Sequence, residues 1–303
     1  MKQRTLKDKV LIKGKGLHTG EIISLQILPA EPNTGIVFSR TDVEMTVKCS
    51  PTSIQHTPLC TKLVDGEHSI STIEHLMFSL AATGIDNAVV LVDGAEIPIM
   101  DGSAASFVML IKQVGIHTQD ACKKILRVIK PVSIHEDGKC ASITPANKFT
   151  ISFSIEFDHP AINRTVQSKT IDFNSSVLAD IAKARTFGFL ADIEYLQTQG
   201  LVRGGSMDNA IVLDDYGVMN TEGLRSDSEF VDHKILDAIG DLYVTGYQLV
   251  GHVNMVKSGH SLNNKLLLKA IEQGALELVT LTTDFTHTTD FTWFTHKEIL
   301  NNE

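Results

Sequence analysis

The sequence has no pair of cysteines at the Cys-x-x-Cys spacing, and its four cysteines are scattered along the chain. This distribution gives no sign of a thiolate zinc site or of a disulfide framework. No run approaches the roughly eighteen apolar residues of a membrane-spanning helix, and no apolar segment of a signal peptide follows the charged start. We therefore expect a cytoplasmic protein without an integral membrane segment.

Positive charge is also scarce, because 27 Lys and Arg residues face 36 Asp and Glu residues and leave a formal charge of -9. This sign excludes a protein that neutralises nucleic-acid phosphates over an extended surface. The glycine-rich segment Gly14–Gly20 lacks the spacing of a phosphate loop and that of a dinucleotide-binding turn. We interpret it as a hairpin connection that could direct His18 at a cleft.

What is present is a folded chain of 303 residues with 43% hydrophobic and 21% charged residues, enough for about two domains. The pattern predicts strands at Ile22–Leu28, Gly35–Ser39 and Asn87–Val92. Helices are predicted from about Ser71 to Thr83, with Gly84 as a left-handed end, and from near Ser103.

The second half of the chain repeats the plan of the first. LQILPAEPNTGIVFSRTD resembles ASITPANKFTISFSIEFD, and Gly102 follows His75 by 27 residues as Gly259 follows His233 by 26. Common strand-turn-strand-helix patterns could produce this similarity by chance, but the matched spacing favours a duplicated α+β domain. We predict domains at 1–122 and 123–303, with an insertion at 192–216 and a boundary where a helix gives way to a strand near 119–130.

The segment SEFVDHKILDAIGDLYVTG carries the strongest chemical signal. An apolar arc predicts a helix whose opposite face holds His233, Lys234, Asp237 and Asp241. His233 and Asp237 are one turn apart, which is the spacing by which a helix offers two ligands to one metal. A merely solvated polar face is the usual reading of such a pair taken alone.

The repeat supplies a third ligand, because His75 holds in the first half the place that His233 holds in the second. Two imidazoles and one carboxylate form a zinc site with a fourth position open to water, which suits hydrolysis. Glu74 has two equally good interpretations. It could close a Ser71-x-x-Glu74 capping box, or it could act as a general base.

His260 lies between a predicted strand and a helix, and Asp241 could supply the carboxylate that keeps it cationic. A lone loop histidine is more often simply exposed. The segment Lys183–Leu190 could place Thr186 and Phe187 at a substrate, or could be a helix that ends at Gly188.

Eight segments follow one another in order between Lys2 and about Ala270: STIEHL, EIPIMDGSAASF, FDHPAI, ARTFGF, DIEYLQTQGL, GGSMDNAIVLDD, DHKILDAIGDL and KSGHSLNNKLL. Together they resemble a known family, the UDP-3-O-acyl-N-acetylglucosamine deacetylases, zinc amidases that commit Gram-negative bacteria to lipid A synthesis. The resemblance implies two similar domains, each a small sheet layered with helices, packed as a sandwich with an interdomain active site.

The resemblance also implies roles for individual residues. The zinc ligands would be His75, His233 and Asp237, with Fe2+ as an alternative ion. The catalytic groups would be Glu74 as base, His260 as acid, Asp241, Thr186 and Lys234. Substrate contacts would come from Phe187, Ile193, Met207, His18 and Cys60, with the inserted segment forming a passage for the acyl chain. The substrate would be an acylated UDP-amino sugar, and the protein would be a monomer.

Two other functions fit the same residues. A sugar-nucleotide or acyl-chain binding protein could use zinc structurally, although a structural site fills its fourth position and needs neither Glu74 nor His260. A zinc peptidase is the other, and the absence of a His-Glu-x-x-His motif counts weakly against it.

Overall fold

The computed structural model describes residues 1–55 and 57–282. The end of the predicted second domain, residues 283–303, therefore lies outside the described residues. None of the helices in the described residues is both long enough and apolar enough to cross a bilayer.

The chain forms a mixed α+β fold. The strands are β1 Lys2–Leu6, β2 Val10–Lys15, β3 Ile22–Pro29, β4 Ile36–Arg40, β5 Met45–Lys48, β6 Ile54–Gln55, β7 Lys62–Asp65, β8 His68–Ile70, β9 Ala88–Val92, β10 Ile116–Cys122, β11 Lys124–Val128, β12 Val132–Glu136, β13 Lys139–Thr144, β14 Phe149–Ser154, β15 Ser168–Asp172, β16 Phe187–Phe189, β17 Ile211–Leu213, β18 Gln248–Val256 and β19 Leu276–Thr280. The helices are α1 Glu74–Thr83, α2 Ala105–Val114, α3 Pro160–Asn163, α4 Ser175–Ile181, α5 Leu190–Thr198, α6 Glu229–Leu242 and α7 His260–Glu272.

The two main sheets have the same topology. In the first, the strand order is β2-β3-β9-β4-β5, with β9 antiparallel to β3 and parallel to β4. In the second, β18 is likewise antiparallel to β13 and parallel to β14, and β12 and β15 pair outside them. Strands β11 and β19 extend this sheet. The correspondence confirms two similar α+β domains, whereas the residue boundaries at 122 and 123 stay a prediction.

Helices α1 and α6 stand at equivalent positions, since each precedes the central strand of its sheet. They pack against each other so closely that a Cβ on Gly240 would lie 2.1 Å from the Glu74 carbonyl oxygen. Glycine is therefore required at this crossing. Most of the buried hydrophobic residues described in the two halves form one continuous core, which includes α1 and α6.

Helix α1 begins three residues later than the sequence predicts. Ser71 instead forms a parallel bridge with Glu96, and Thr72 has a φ of 60° in the left-handed region. Ile73 precedes the helix, and no side chain caps its first turn. The capping-box interpretation of Glu74 is therefore wrong, because tertiary pairing holds Ser71 outside the helix. The predicted end is confirmed, since Gly84 has a φ of 71°.

Two further predictions differ from the structure. Residues 187–189 are not the end of a helix, because they form β16, which pairs in parallel with β17. Residues 116–122 form β10, which pairs with β1, so no helix enters the boundary region. The hairpin interpretation of Gly14–Gly20 is confirmed by the antiparallel pairing of β2 and β3.

Candidate active site

Two histidines and one aspartate meet where α1 and α6 face each other. The His75 Nε2 atom lies 3.2 Å from His233 Nε2. Both nitrogens lie 3.5 Å from Asp237 Oδ1. All three side chains are buried, and α6 is buried along its length except at Lys234. A solvated helix face is therefore excluded as the explanation of the His233 and Asp237 pair.

The chemistry of these donors fits a divalent cation. Ligands at 2.0–2.2 Å from a tetrahedral zinc ion lie about 3.3 to 3.5 Å apart, close to the separations found here. Asp237 Oδ1 is buried and has no hydrogen-bond partner, although a buried carboxylate oxygen normally has one. A cation among the three atoms would satisfy it.

The protonation states of His233 and Asp237 also suit the binding of a divalent cation. Burial lowers the pKa of His233 well below its ordinary value, so this imidazole is neutral and keeps a lone pair. Burial alone would raise the pKa of Asp237, but attraction to the Lys234 ammonium holds that pKa well below its ordinary value. The Lys234 ammonium lies 2.8 Å from Asp237 Oδ2, the oxygen that does not face the histidines.

Glu74 directs its carboxylate toward the same space. It is buried, its Oε2 accepts a hydrogen bond from the Thr61 backbone N–H at 3.0 Å, and its Oε1 lies 3.9 Å from His260 Nε2. Burial raises the pKa of Glu74, although His260 and His75 oppose the rise. A carboxylate with a raised pKa is a better proton acceptor than an exposed one.

His260 is the first residue of α7 and is held by a carboxylate. Its Nδ1 lies 2.9 Å from Asp241 Oδ2, which also accepts a hydrogen bond from the Asn263 side chain at 2.8 Å. Burial would lower the pKa of His260, but Asp241 and the neighbouring carboxylates outweigh it and raise the pKa to about 9. The imidazole is therefore cationic at neutral pH, as the sequence predicts from Asp241.

These groups border a cavity of about 330 Å³. The titratable residues in its wall are His18, Glu74, His75, Asp192, His233, Lys234, Asp237 and His260. Apolar side chains form much of the rest: Leu17, Ile99, Phe157, Phe187, Phe189, Ile193, Leu196 and Val202. Thr186 also lines it. A wall that carries both titratable groups and apolar side chains suits an amphiphilic small molecule.

The structure does not bring every predicted residue to the cavity. Met207 is 47% exposed and is not among the lining residues. Cys60 is buried beside Thr57, but it too is absent from the cavity wall. Its neighbour Thr61 contacts Glu74, Asp241 and His260 instead.

Sequence reasoning missed three residues that hold the side chains or the backbone of the cavity wall: Asn263, Thr61 and Glu96. Asn263 could have been found from its place one turn after His260 in the helix. Thr61 carries no motif, because its contact with Asp241 joins positions 180 residues apart. Glu96 lies in the EIPIMDG segment, and nothing in that pattern indicates its contacts.

Two similar α+β domains, with a three-donor cluster, a carboxylate and an imidazole on one cavity, define the class of metal-dependent hydrolases. A sequence profile of the UDP-3-O-acyl N-acetylglycosamine deacetylase family matches residues 3–272, and the chain belongs to this family. A Haemophilus influenzae (strain PittEE) protein named UDP-3-O-acyl-N-acetylglucosamine deacetylase is 50% identical over 285 residues, covering 92% of this chain and 93% of the relative. Relatives of the same name from Vibrio campbellii (strain ATCC BAA-1116) and Vibrio cholerae serotype O1 (strain M66-2) are each 52% identical over the same length, with the same coverage.

Proposed function

We propose that this protein is an amidohydrolase that removes the 2-acetyl group of UDP-3-O-acyl-N-acetylglucosamine, the committed step of lipid A biosynthesis. Water and the amide give acetate and the free 2-amino sugar nucleotide. Membership of the deacetylase family supports this reaction and its substrate class. We assign the reaction to this cavity because His75, His233 and Asp237 lie together there, beside Glu74 and His260.

The metal that we propose is zinc, held by His75, His233 and Asp237. When bound, such an ion lowers the pKa of a water molecule toward neutrality and polarises a carbonyl group. The same donors also accept Fe2+, and metal analysis of the purified protein distinguishes the two. In the described residues the cluster numbers three donors, which leaves a position for solvent and favours a catalytic site over a structural one.

The protein's own groups supply the proton transfers. Glu74 Oε1 accepts a proton as water oxygen bonds to the amide carbon. His260 Nε2, on the other side of a 3.9 Å gap from Glu74, donates a proton to the nitrogen as the carbon–nitrogen bond breaks. Asp241 holds His260 Nδ1 and so keeps the imidazole oriented and charged. Thr186 lines the cavity, and its hydroxyl is proposed to donate a hydrogen bond to the carbonyl oxygen.

The remaining groups bind and orient the substrate. The Lys234 ammonium forms an ion pair with Asp237 Oδ2, and it also lines the cavity beside the reacting groups. Phe187 and Ile193 are proposed to contact the acyl chain, because they belong to the apolar part of the wall. Met207 and Cys60 lack this support, since neither lines the cavity. The monomeric state and the cytoplasmic location stay predictions.

Acetate release is the direct test of this function. We expect the purified protein to release acetate from the acylated UDP-sugar, to lose that activity when a chelator removes its metal, and to regain it with zinc. A protein that binds the substrate but releases no acetate in the zinc-loaded form would favour the binding-protein alternative. Release of amino acids from peptides would favour the peptidase.

The pH profile tests the pairing of His260 with Asp241. Because the acid must carry its proton, kcat/KM should fall as the pH rises through the pKa of His260, which Asp241 raises. Asp241→Asn should move this descending limb to lower pH and reduce the maximum. Asp232→Asn, on the same helix but paired with Lys169, should leave the limb in place. An unmoved limb in Asp241→Asn would exclude this assignment.

A further inference from the structure

Glu96 is a fully buried carboxylate outside the reacting cluster. Its Oε1 accepts hydrogen bonds from the His18 backbone N–H at 2.9 Å and from the Thr72 hydroxyl at 3.1 Å. Its Oε2 accepts from the Thr19 backbone N–H at 2.9 Å and the Thr19 hydroxyl at 2.8 Å. None of these four donors carries a charge. Four hydrogen bonds to the two oxygens of one buried side chain fix the positions of their donors.

The donors belong to two segments that border the cavity. One is the connection between β2 and β3, residues 16–21, which carries His18. The other is the turn before α1, where Thr72 has a left-handed φ that is unusual for a β-branched residue. Glu74 follows this turn by two residues. Glu96 therefore ties the segment that carries His18 to the turn that precedes Glu74.

The opposite side of the same connection is held by the inserted segment of the second half. The Arg203 N–H donates to the His18 carbonyl at 3.1 Å, and the Gly204 N–H donates to the Leu17 carbonyl at 3.0 Å. A Cβ on Gly204 would lie 2.0 Å from the Gly16 carbonyl oxygen, so the two segments touch through their backbones. The connection thus lies between Glu96 and residues 203–204 and has little room to shift.

The connection held between Glu96 and residues 203–204 places the His18 side chain at the cavity. It is 8% exposed, lines the cavity, and has no hydrogen-bond partner at either ring nitrogen. Buried imidazole nitrogens normally have hydrogen-bond partners, and for a ring that lines a cavity a bound ligand can supply them. Burial lowers the pKa of His18, although Glu96 opposes the shift, so the ring offers one donor and one acceptor.

We infer that Glu96 is a positioning residue for deacetylation: it fixes residues 16–20 so that the His18 imidazole meets a polar group of the bound sugar nucleotide. The inference rests on the proposed function. Glutamate suits this position because both of its oxygens accept hydrogen bonds. Glutamine has one acceptor oxygen, and its amide N–H groups would face two of the donors.

A double-mutant cycle tests whether Glu96 acts through His18. We expect Glu96→Gln to lower kcat/KM for acetate release by about tenfold, the scale of one misaligned buried polar contact, with the same division between kcat and KM as His18→Ala. In the His18→Ala background, Glu96→Gln should change kcat/KM by less than about twofold. Additive effects, or a fully active His18→Ala variant, would overturn the inference.

Two controls keep the result interpretable. Asp93→Asn changes an exposed carboxylate of the same loop, which accepts the Ser24 N–H, and should leave kcat/KM and the metal content unchanged. If Glu96→Gln does not fold, Thr19→Val removes one donor and should give a smaller loss that again disappears with His18→Ala. Absence of acetate release by the wild-type protein would instead refute the proposed function and would not depend on Glu96.

Discussion

Glu74→Gln is expected to lower kcat for acetate release by about a hundredfold or more while the metal stays bound, because a general base contributes about 10² to 10⁴ in rate. The substitution keeps the size of the side chain and the acceptor for the Thr61 N–H, but it removes the proton acceptor. Glu74 lies outside the three-donor cluster, so its loss should not empty the metal site.

The pH profile should change with it. Burial raises the pKa of Glu74, and the base is active only when it is deprotonated, so the wild-type protein should gain activity as the pH rises through that value. This ascending limb should disappear in Glu74→Gln. Glu74→Asp keeps the carboxylate but shortens the side chain by one methylene group. Its kcat should lie between that of the wild-type protein and that of Glu74→Gln. Near-normal turnover by Glu74→Gln would refute the assignment.

Asp237→Ala is expected to abolish metal binding and with it the deacetylase activity. The change removes one of three donors and leaves the Lys234 ammonium, now without its carboxylate partner, beside the two histidines. A cation at this position repels a divalent ion, so both effects weaken binding. Elemental analysis of the purified variant, at equal protein concentration with the wild type, measures the loss directly.

Asp232→Ala is the matched control for this experiment. Asp232 is also a buried carboxylate of α6 paired with a lysine, but its partner is Lys169, at 2.7 Å. Asp232→Ala should keep a full complement of metal even if it lowers the free energy of unfolding. Stoichiometric metal in Asp237→Ala would remove Asp237 from the donor set.

The three metal-binding residues can be predicted from sequence, because helical spacing and the internal repeat together identify them. The spacing of one helical turn joins His233 to Asp237, and the internal repeat points from His233 to His75. Both rules depend on local periodicity, which the fold preserves. The resemblance to the deacetylase family adds the roles of Glu74 and His260, which spacing alone leaves open.

The errors arise where distant segments decide local structure. Ser71 and Glu74 have the spacing of a capping box, yet pairing with Glu96 holds Ser71 in an extended segment. Residues 187–189 follow a helical stretch, but they form a strand because β17 lies beside them. Thr61 reaches Asp241 only through the packing of the two halves. No local pattern records such contacts.

The duplicated architecture has a consequence for how the chemistry is divided between the halves. His75 and His233 are counterparts, and the equivalent positions of α1 and α6 bring their two imidazoles together. The other reactive groups break that symmetry. By the spacing from these histidines and from the paired glycines, the counterparts of Asp237, Asp241 and His260 are Ser79, Thr83 and Ser103. The second half thus supplies Asp237, Asp241 and His260 to the site. The first half supplies Glu74, and at the three corresponding positions it carries hydroxyl groups that donate hydrogen bonds to its own backbone and to Asp101.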